Sequence, residues 1–115
     1  MTIIYGIKNC DTMKKAFNWL DDNNVAYEFH DYKKQGVVED ALRTAINEHG
    51  WEKVINQRGT TWRKLPDETK TGMNETTAIN IALENPSIIK RPLLTHKNKI
   101  YLGFKNGDYR RVFNK

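Results

Sequence analysis

The chain has 115 residues, of which 38% are hydrophobic and 29% charged, and its formal net charge is +5 at pH 7. These values are typical of one globular domain of 13.5 kDa. No apolar run approaches the roughly 18 residues that a membrane span needs, and the N-terminus lacks a signal pattern, so we expect a cytoplasmic protein without membrane contact.

The first predicted elements are a strand, a helix and a second strand. Residues 2–5 are β-branched or aromatic and end at a glycine, which predicts a short buried strand. From Asp11 onward apolar side chains recur every three or four positions, which predicts an amphipathic helix capped by Asp11 or Thr12. Polar residues 21–24 end it, and alternation over 25–30 predicts the second strand. A crossover of this length makes the two strands parallel neighbours.

The middle of the chain is predicted to be largely helical. Helical spacing over residues 38–46 ends at Gly50, which is a suitable C-cap. Residues 51–72 show no clear period and predict an irregular segment. A further helix is expected to begin at Asn74 or Thr76 and to stop before a proline.

A hairpin and a terminal helix are predicted for the last third of the chain. Residues 92–95 and 99–102 flank a polar turn at 96–98, and a helical period follows. The order βαβ, helices, ββα predicts an α/β, thioredoxin-like fold with a four-stranded mixed sheet. We therefore expect a single domain over 1–115, with an inserted helical subdomain at roughly 36–87.

The single cysteine, Cys10, is the main candidate for chemistry. It lies where the first strand meets the first helix, so its sulfur faces unpaired backbone N–H groups at the positive end of the helix. Such a place favours the thiolate, which is the nucleophilic form. Lys8 and Lys14 add positive charge nearby. The alternative is an inert cysteine that packs as a small hydrophobe, but its polar flanks favour a reactive thiol.

Metal and nucleic-acid sites are not expected. One cysteine forms no internal disulfide, and a structural zinc site usually needs at least two thiolates. The three histidines, His30, His49 and His96, are not spaced as metal ligands. Basic balance attracts anions in general, but the lysines and arginines are scattered rather than clustered in a tract, so direct nucleic-acid binding is not expected.

Two arginines are candidate anion ligands. Arg91 precedes Pro92 at the start of the third predicted strand, and in a thioredoxin-like fold this proline faces the thiol loop through a cis peptide bond. Arg91 would then project beside the sulfur, where its guanidinium suits a carboxylate or an oxyanion. Arg58 lies near Trp62 in the irregular segment, which is either an anion-binding lip or a structural loop. We favour binding for Arg58 and packing for Trp62.

Four segments of the sequence resemble the arsenate-reductase-like (ArsC/Spx) family, and most closely its small YffB branch. The stretch Arg-Gly-Thr-Thr-Trp is the most specific to that branch. The resemblance implies a thioredoxin-like fold with a helical insertion, a nucleophilic cysteine at the first helix, and a glutathione-dependent thiol reductase role. The matching segments are residues 5–12, 56–65, 89–94 and 102–105.

The same resemblance assigns roles to individual residues. Cys10 matches the catalytic cysteine of the family, and Arg58 and Arg91 match two of the three arginines that hold the oxyanion in arsenate reductases. The third arginine has no match in residues 102–105, and Gly6 stands in place of the histidine that precedes the cysteine. These departures count against arsenate reduction, because losing one charged donor to a transition state typically costs about 2–4 kcal/mol.

The residues favour thiol–disulfide exchange by Cys10, with Arg91 and Arg58 stabilising the thiolate. No bound cofactor is expected. Since the chain has no resolving cysteine, an external thiol must release the product, and glutathione is the expected co-substrate, or a glutathionylated or other small disulfide the substrate. The residues expected to contact the substrate are Lys8, Asn9, Thr12, Lys14 and Pro92.

Two alternatives stay open. The first is a non-catalytic interaction module related to the Spx-type transcriptional regulators, which bind RNA polymerase. That branch commonly carries Cys-x-x-Cys here, whereas Met13 takes the second position in this chain. The second alternative is an arsenate reductase with an incomplete oxyanion site.

Overall fold

The computed structural model describes all 115 residues. It divides into two compact units, which we call the sheet unit (Met1–Gln35 with Arg91–Lys115) and the helical unit (Gly36–Lys90). The elements in chain order are β1 (Thr2–Gly6), α1 (Asp11–Asp22), β2 (Glu28–Asp31), α2 (Tyr32–Gln35), α3 (Glu39–His49), α4 (Trp51–Val54), α5 (Thr60–Arg63), α6 (Asp67–Thr71), α7 (Glu75–Glu84), a 3₁₀ turn (Pro86–Ile88), β3 (Leu93–His96), β4 (Lys99–Leu102) and α8 (Asn106–Phe113). No helix is long and apolar enough to cross a membrane.

The sheet unit contains one four-stranded mixed sheet in the order β2-β1-β3-β4. β1 and β2 are parallel, as the crossover length predicts, while β3 is antiparallel to both β1 and β4. This is the thioredoxin-like arrangement, so the predicted fold class is confirmed. The parallel pair and the incoming strand β3 place three chain segments at one edge of the sheet, next to Gly6.

Helices α1 and α8 pack on one face of this sheet. The helical spacing of α1 buries one side of the helix against the inward-facing strand residues. Phe17 and Cys10 are half-buried and pack against the same core. The buried members of this core are Ile4, Met13, Ala16, Trp19, Leu20, Leu94 and Tyr109.

Tyr109 is the buried polar exception in this core. It is 1% exposed and contacts Trp19 and Phe104 in edge-to-face geometry, yet its hydroxyl has no hydrogen-bond partner. An unpaired buried hydroxyl costs about 1–3 kcal/mol in desolvation.

The variant Tyr109→Phe is therefore expected to be at least as stable as the parent chain, with the free energy of unfolding raised by up to about 1–3 kcal/mol. Urea unfolding followed by tryptophan fluorescence measures this difference. The matched comparison is Tyr5→Phe, because Tyr5 is also buried but its hydroxyl interacts with Thr95. A clear loss of stability in Tyr109→Phe would show that the hydroxyl has a partner.

Two boundaries in the sheet unit differ from the sequence predictions. The second strand begins at Glu28 rather than at residue 25, because only Glu28 to Asp31 have partners along β1. The cap of α1 is neither Asp11 nor Thr12. Cys10 is the N-cap, with an extended backbone (φ −136°, ψ 131°) and its carbonyl accepting from the Lys14 N–H at 3.0 Å.

The hairpin is tighter than predicted, because His96 belongs to β3. Only Lys97 and Asn98 form the turn, with φ of 50° and 65°. Two consecutive positive φ values are the geometry that joins twisted antiparallel strands in two residues, and asparagine tolerates it well. The turn lies at the edge of the sheet opposite to Cys10, since His96 pairs with Thr2 at the start of β1.

In the helical unit, the predicted ends of α3 and the start of α7 are confirmed. Gly50 follows α3 with φ of 86°, and the side chain of Asn74 accepts from the Thr77 N–H at 2.9 Å as the N-cap of α7. The prediction of an irregular segment over 51–72 was wrong, because this stretch forms α4, α5 and α6. Each has only four or five residues, too few for a helical period to show in the sequence.

Candidate active site

The candidate nucleophile Cys10 is fixed by a close approach between β1 and α1. Gly6 ends β1, three residues follow, and Cys10 directly precedes α1 as its N-cap. A Cβ atom on Gly6 would lie 2.5 Å from Met13 Sδ and 2.7 Å from Met13 Cε. Met13 is fully buried, so its side chain would have to shift within the packed core to accept a larger residue at position 6. Glycine at position 6 therefore lets β1 and the first turn of α1 approach each other without displacing Met13.

The surroundings of Cys10 favour its thiolate. Burial alone raises the pKa of the thiol, but the backbone N–H groups of Met13 and Thr12 and the guanidinium of Arg91 outweigh it and lower the pKa below its ordinary value. The Cys10 side chain makes no cap hydrogen bond, so the amides act mainly on the charge of the thiolate. The thiol is free and half-buried, which leaves it accessible to a reagent.

Arg91 reaches this place because of the register of β3. Tyr5 of β1 pairs with Leu93, so the residues before Leu93 lie beside the end of β1. The Arg91–Pro92 peptide bond is cis, as predicted, and Pro92 is buried. Its carbonyl accepts from the Gly103 N–H at 2.8 Å, and Gly103 has φ of 74°, which only glycine adopts readily. This hydrogen bond ties the end of β4 to the residue that follows Arg91.

Tyr32 is a buried neighbour of the site that the sequence analysis did not identify. It follows β2 directly, and Asp31 pairs with Gly6, so Tyr32 lies at the same sheet edge as Cys10. Its ring stacks on Tyr5 at a centroid distance of 6.4 Å. Burial and the nearby Tyr5 raise its pKa, which the charge of Arg91 only partly offsets, so the phenol stays neutral. Helix α2 is one turn long, so the sequence shows no helical periodicity that would predict it.

Of the other residues with predicted roles, some have exposed side chains and one acts through its backbone. Lys8, Asn9 and Lys14 are exposed around Cys10. The backbone N–H of Thr12, rather than its hydroxyl, acts on the sulfur. Arg58 belongs to the helical unit, where it is exposed and its backbone N–H donates to an Asn56 side-chain oxygen at 3.1 Å. Its role at the thiol stays a prediction.

The remaining candidates are Trp62 and the residue types that bind metals. Trp62 lies in α5 and stacks on Trp51, with ring centroids 6.4 Å apart and an interplanar angle of 23°. This contact agrees with a packing role. No group of three or more histidine, cysteine, aspartate or glutamate side chains is arranged to hold a metal ion.

Comparison with protein-family models gives a match to the ArsC family over residues 5–112. Among solved structures, the YFFB (PA3664) protein is 47% identical over 97% of this chain and 98% of its own, with a TM-score of 0.94. An arsenate reductase (ArsC) related protein from Brucella melitensis is 43% identical over 99% of this chain and 95% of its own, with a TM-score of 0.77.

The sequence relatives include an uncharacterized protein and a transcriptional regulator. An uncharacterized protein of Haemophilus influenzae is 42% identical over 113 residues, which cover 98% of this chain and 99% of that protein. The global transcriptional regulator Spx of Streptococcus agalactiae is 25% identical over 112 residues, or 96% of this chain and 81% of the regulator. The similarity to each of these proteins therefore extends over nearly the whole chain.

Proposed function

Because the chain belongs to the ArsC family, we propose that it is a thiol–disulfide oxidoreductase in which Cys10 is the nucleophile and glutathione the co-substrate. The observation that carries the proposal is the Cys10 thiol at the start of α1, with its pKa lowered by two backbone N–H groups and Arg91 against the effect of burial. A thiolate present at neutral pH is what nucleophilic attack on a disulfide requires.

The proposed reaction consists of two exchanges. The Cys10 thiolate attacks a glutathione mixed disulfide at the glutathione sulfur, which forms a Cys10–glutathione disulfide and releases the other thiolate. A second glutathione thiolate then attacks this disulfide, releasing oxidised glutathione and the Cys10 thiolate. The second thiol must come from outside, since Cys10 is the only cysteine. Met13, where a Cys-x-x-Cys motif would have its second sulfur, is fully buried.

Cationic groups near the sulfur support the proposal that glutathione, which is anionic, is the co-substrate. Arg91 interacts with the thiol, and Lys8 and Lys14 are exposed on either side of Cys10. In the proposed complex these groups bind the two carboxylates. Pro92 directly precedes β3 and lies beside the end of β1 that leads to the thiol, where the proposed substrate would contact it.

The test is a pH titration of Cys10 alkylation followed by mass spectrometry after incubation with oxidised glutathione. We expect alkylation to reach half its limiting rate below the ordinary thiol pKa of about 8.5, and one glutathione adduct per chain. In the variant Cys10→Ser the adduct and any glutathione-dependent reductase activity should disappear. An ordinary pKa together with no adduct would contradict the proposal.

A second candidate function is supported by the similarity to Spx regulators. In that case the chain would be an interaction module that binds RNA polymerase, and Cys10 would have no catalytic role. Binding to purified polymerase that is equal for the parent chain and Cys10→Ser, without a glutathione adduct, would favour this function. Arsenate reduction is less favoured, because residues 102–105 contain no arginine.

A further inference from the structure

The sheet edge from which Cys10 emerges carries exposed positive charge from three separate segments. β1 and β2 are parallel and end together, since Gly6 pairs with Asp31. Lys8 follows the end of β1, and Lys14 lies one turn into α1, where its N–H donates to the Cys10 carbonyl. Two further lysines follow the end of β2. We call this set the basic rim: Lys8, Lys14, Lys33 and Lys34, all of them exposed.

Little negative charge opposes the basic rim. None of its four lysines takes part in an ion pair; the ion pairs of the chain join Arg43 to Glu39 and Arg111 to Asp108. Two carboxylates lie at the same edge. Asp11 is exposed, whereas Asp31 is buried and its Oδ1 accepts from the Lys33 N–H at 2.9 Å. Arg91 adds a further cationic group at this edge.

Isolated surface lysines are usually only solvated, but here the lysines of the basic rim lie on segments that leave the sheet at the same edge as the segment carrying Cys10. Unpaired charges of one sign around a reactive group attract counter-ions and raise the local concentration of oppositely charged reactants. The chemistry of exchange does not itself require this charge, because a disulfide and its thiolate products react with or without a net charge on the substrate. The basic rim therefore affects which disulfides reach Cys10 fastest, rather than the exchange reaction itself.

We propose that the basic rim selects disulfides that carry carboxylates close to the sulfur, by drawing them to Cys10 ahead of neutral and cationic disulfides. This rests on the proposed function of Cys10 as the attacking thiol. The step is an ordinary exchange: the Cys10–sulfur bond forms, the substrate disulfide bond breaks, and one substrate thiolate leaves with the electron pair. The rim contributes to the encounter and leaves this balance unchanged.

The first test compares three symmetrical aliphatic disulfides: oxidised glutathione, neutral hydroxyethyl disulfide and cationic cystamine. The rate of adduct formation on Cys10 is divided by the rate of a small neutral thiol, 3-mercaptopropan-1-ol, with the same disulfide, which removes intrinsic reactivity. At about 0.01 M salt we expect the anionic probe to exceed the cationic one by roughly tenfold or more. This preference should shrink strongly at about 1 M salt. Equal normalised rates at low salt would overturn the proposal.

The second test uses matched charge variants. Lys33→Gln with Lys34→Gln removes half of the rim, and Lys97→Gln with Lys99→Gln removes the same charge from the hairpin at the opposite edge. The first pair should lose several-fold in rate with oxidised glutathione and keep its rate with hydroxyethyl disulfide. The second pair should keep both rates. Equal losses of rate in both double variants would mean that only the net charge of the chain matters, and would overturn the proposal of a local basic rim.

The failure of the proposed function would look different. If no disulfide reacts with Cys10, the exchange mechanism is wrong, and the rim is then tested by alkylation with anionic iodoacetate and neutral iodoacetamide. A ratio of iodoacetate to iodoacetamide rates that falls with salt, and that falls further in the Lys33→Gln, Lys34→Gln variant, supports the rim. A ratio insensitive to both overturns it.

Discussion

Alanine in place of Arg91 is expected to raise the pKa of Cys10 and to slow its alkylation at neutral pH. Arg91 acts on the thiolate both through its charge and through a hydrogen bond. A hydrogen bond to a charged group contributes about 1.5–3 kcal/mol when buried, and solvent reduces this at a half-exposed site to the order of 1 kcal/mol. We therefore expect the alkylation rate at neutral pH to fall by about two- to fivefold.

The pH profile distinguishes this effect from a loss of access. In the parent chain, the lowered pKa means that the thiolate is present below the ordinary thiol range and disappears only as the pH falls through the lowered value. In Arg91→Ala the profile should shift to higher pH. Its limiting rate at high pH should be equal or slightly greater, because a thiolate of higher pKa is intrinsically more nucleophilic.

Two further variants complete the Arg91 experiment. Arg91→Lys keeps the charge without the planar fork of donors, so its profile should lie between those of the parent and Arg91→Ala. Arg110→Ala removes an exposed arginine of α8 and should leave the profile unchanged. A profile in Arg91→Ala identical to that of the parent would mean that the guanidinium does not stabilise the Cys10 thiolate.

Most of the fold was predictable because long elements leave long patterns. α1, α3 and α7 have at least ten residues each, so the helical period and the caps Gly50 and Asn74 were evident. The crossover length gave the parallel pair. By contrast, the one-turn helices α2, α4 and α5 contain too few residues for any period, and they were missed or assigned as irregular.

The site was predictable where sequence distance is short. Cys10 and the amides that follow it belong to one strand-to-helix segment, so local reasoning found them, although the choice of Cys10 itself as N-cap depends on its backbone angles. Arg91 could be placed only through the assumed fold, because 80 intervening residues separate it from Cys10. Tyr32 and Gly103 depended on strand register and a backbone hydrogen bond, which no composition pattern encodes.

Alanine in place of Gly6 is expected to destabilise the chain by about 1–3 kcal/mol, because the added methyl group would overlap the buried side chain of Met13. Urea unfolding measures the difference. Gly107→Ala is the matched control: its Cβ would find only Arg111 Nη1 at 3.8 Å, so a neutral or slightly stabilising change is expected. A Gly6→Ala variant as stable as the parent would show that Met13 moves aside freely.

A double-mutant cycle with Met13→Ala assigns this cost to the contact. Met13→Ala alone should cost about 2–5 kcal/mol, because it leaves a cavity in the core. Once the methionine is gone, the methyl group introduced by Gly6→Ala has space, so the double variant should be more stable than the sum of the two costs predicts. If the two costs in free energy of unfolding simply add, the cost of Gly6→Ala does not come from contact with Met13. Coupling would show that Met13 occupies the space that a larger side chain at position 6 needs.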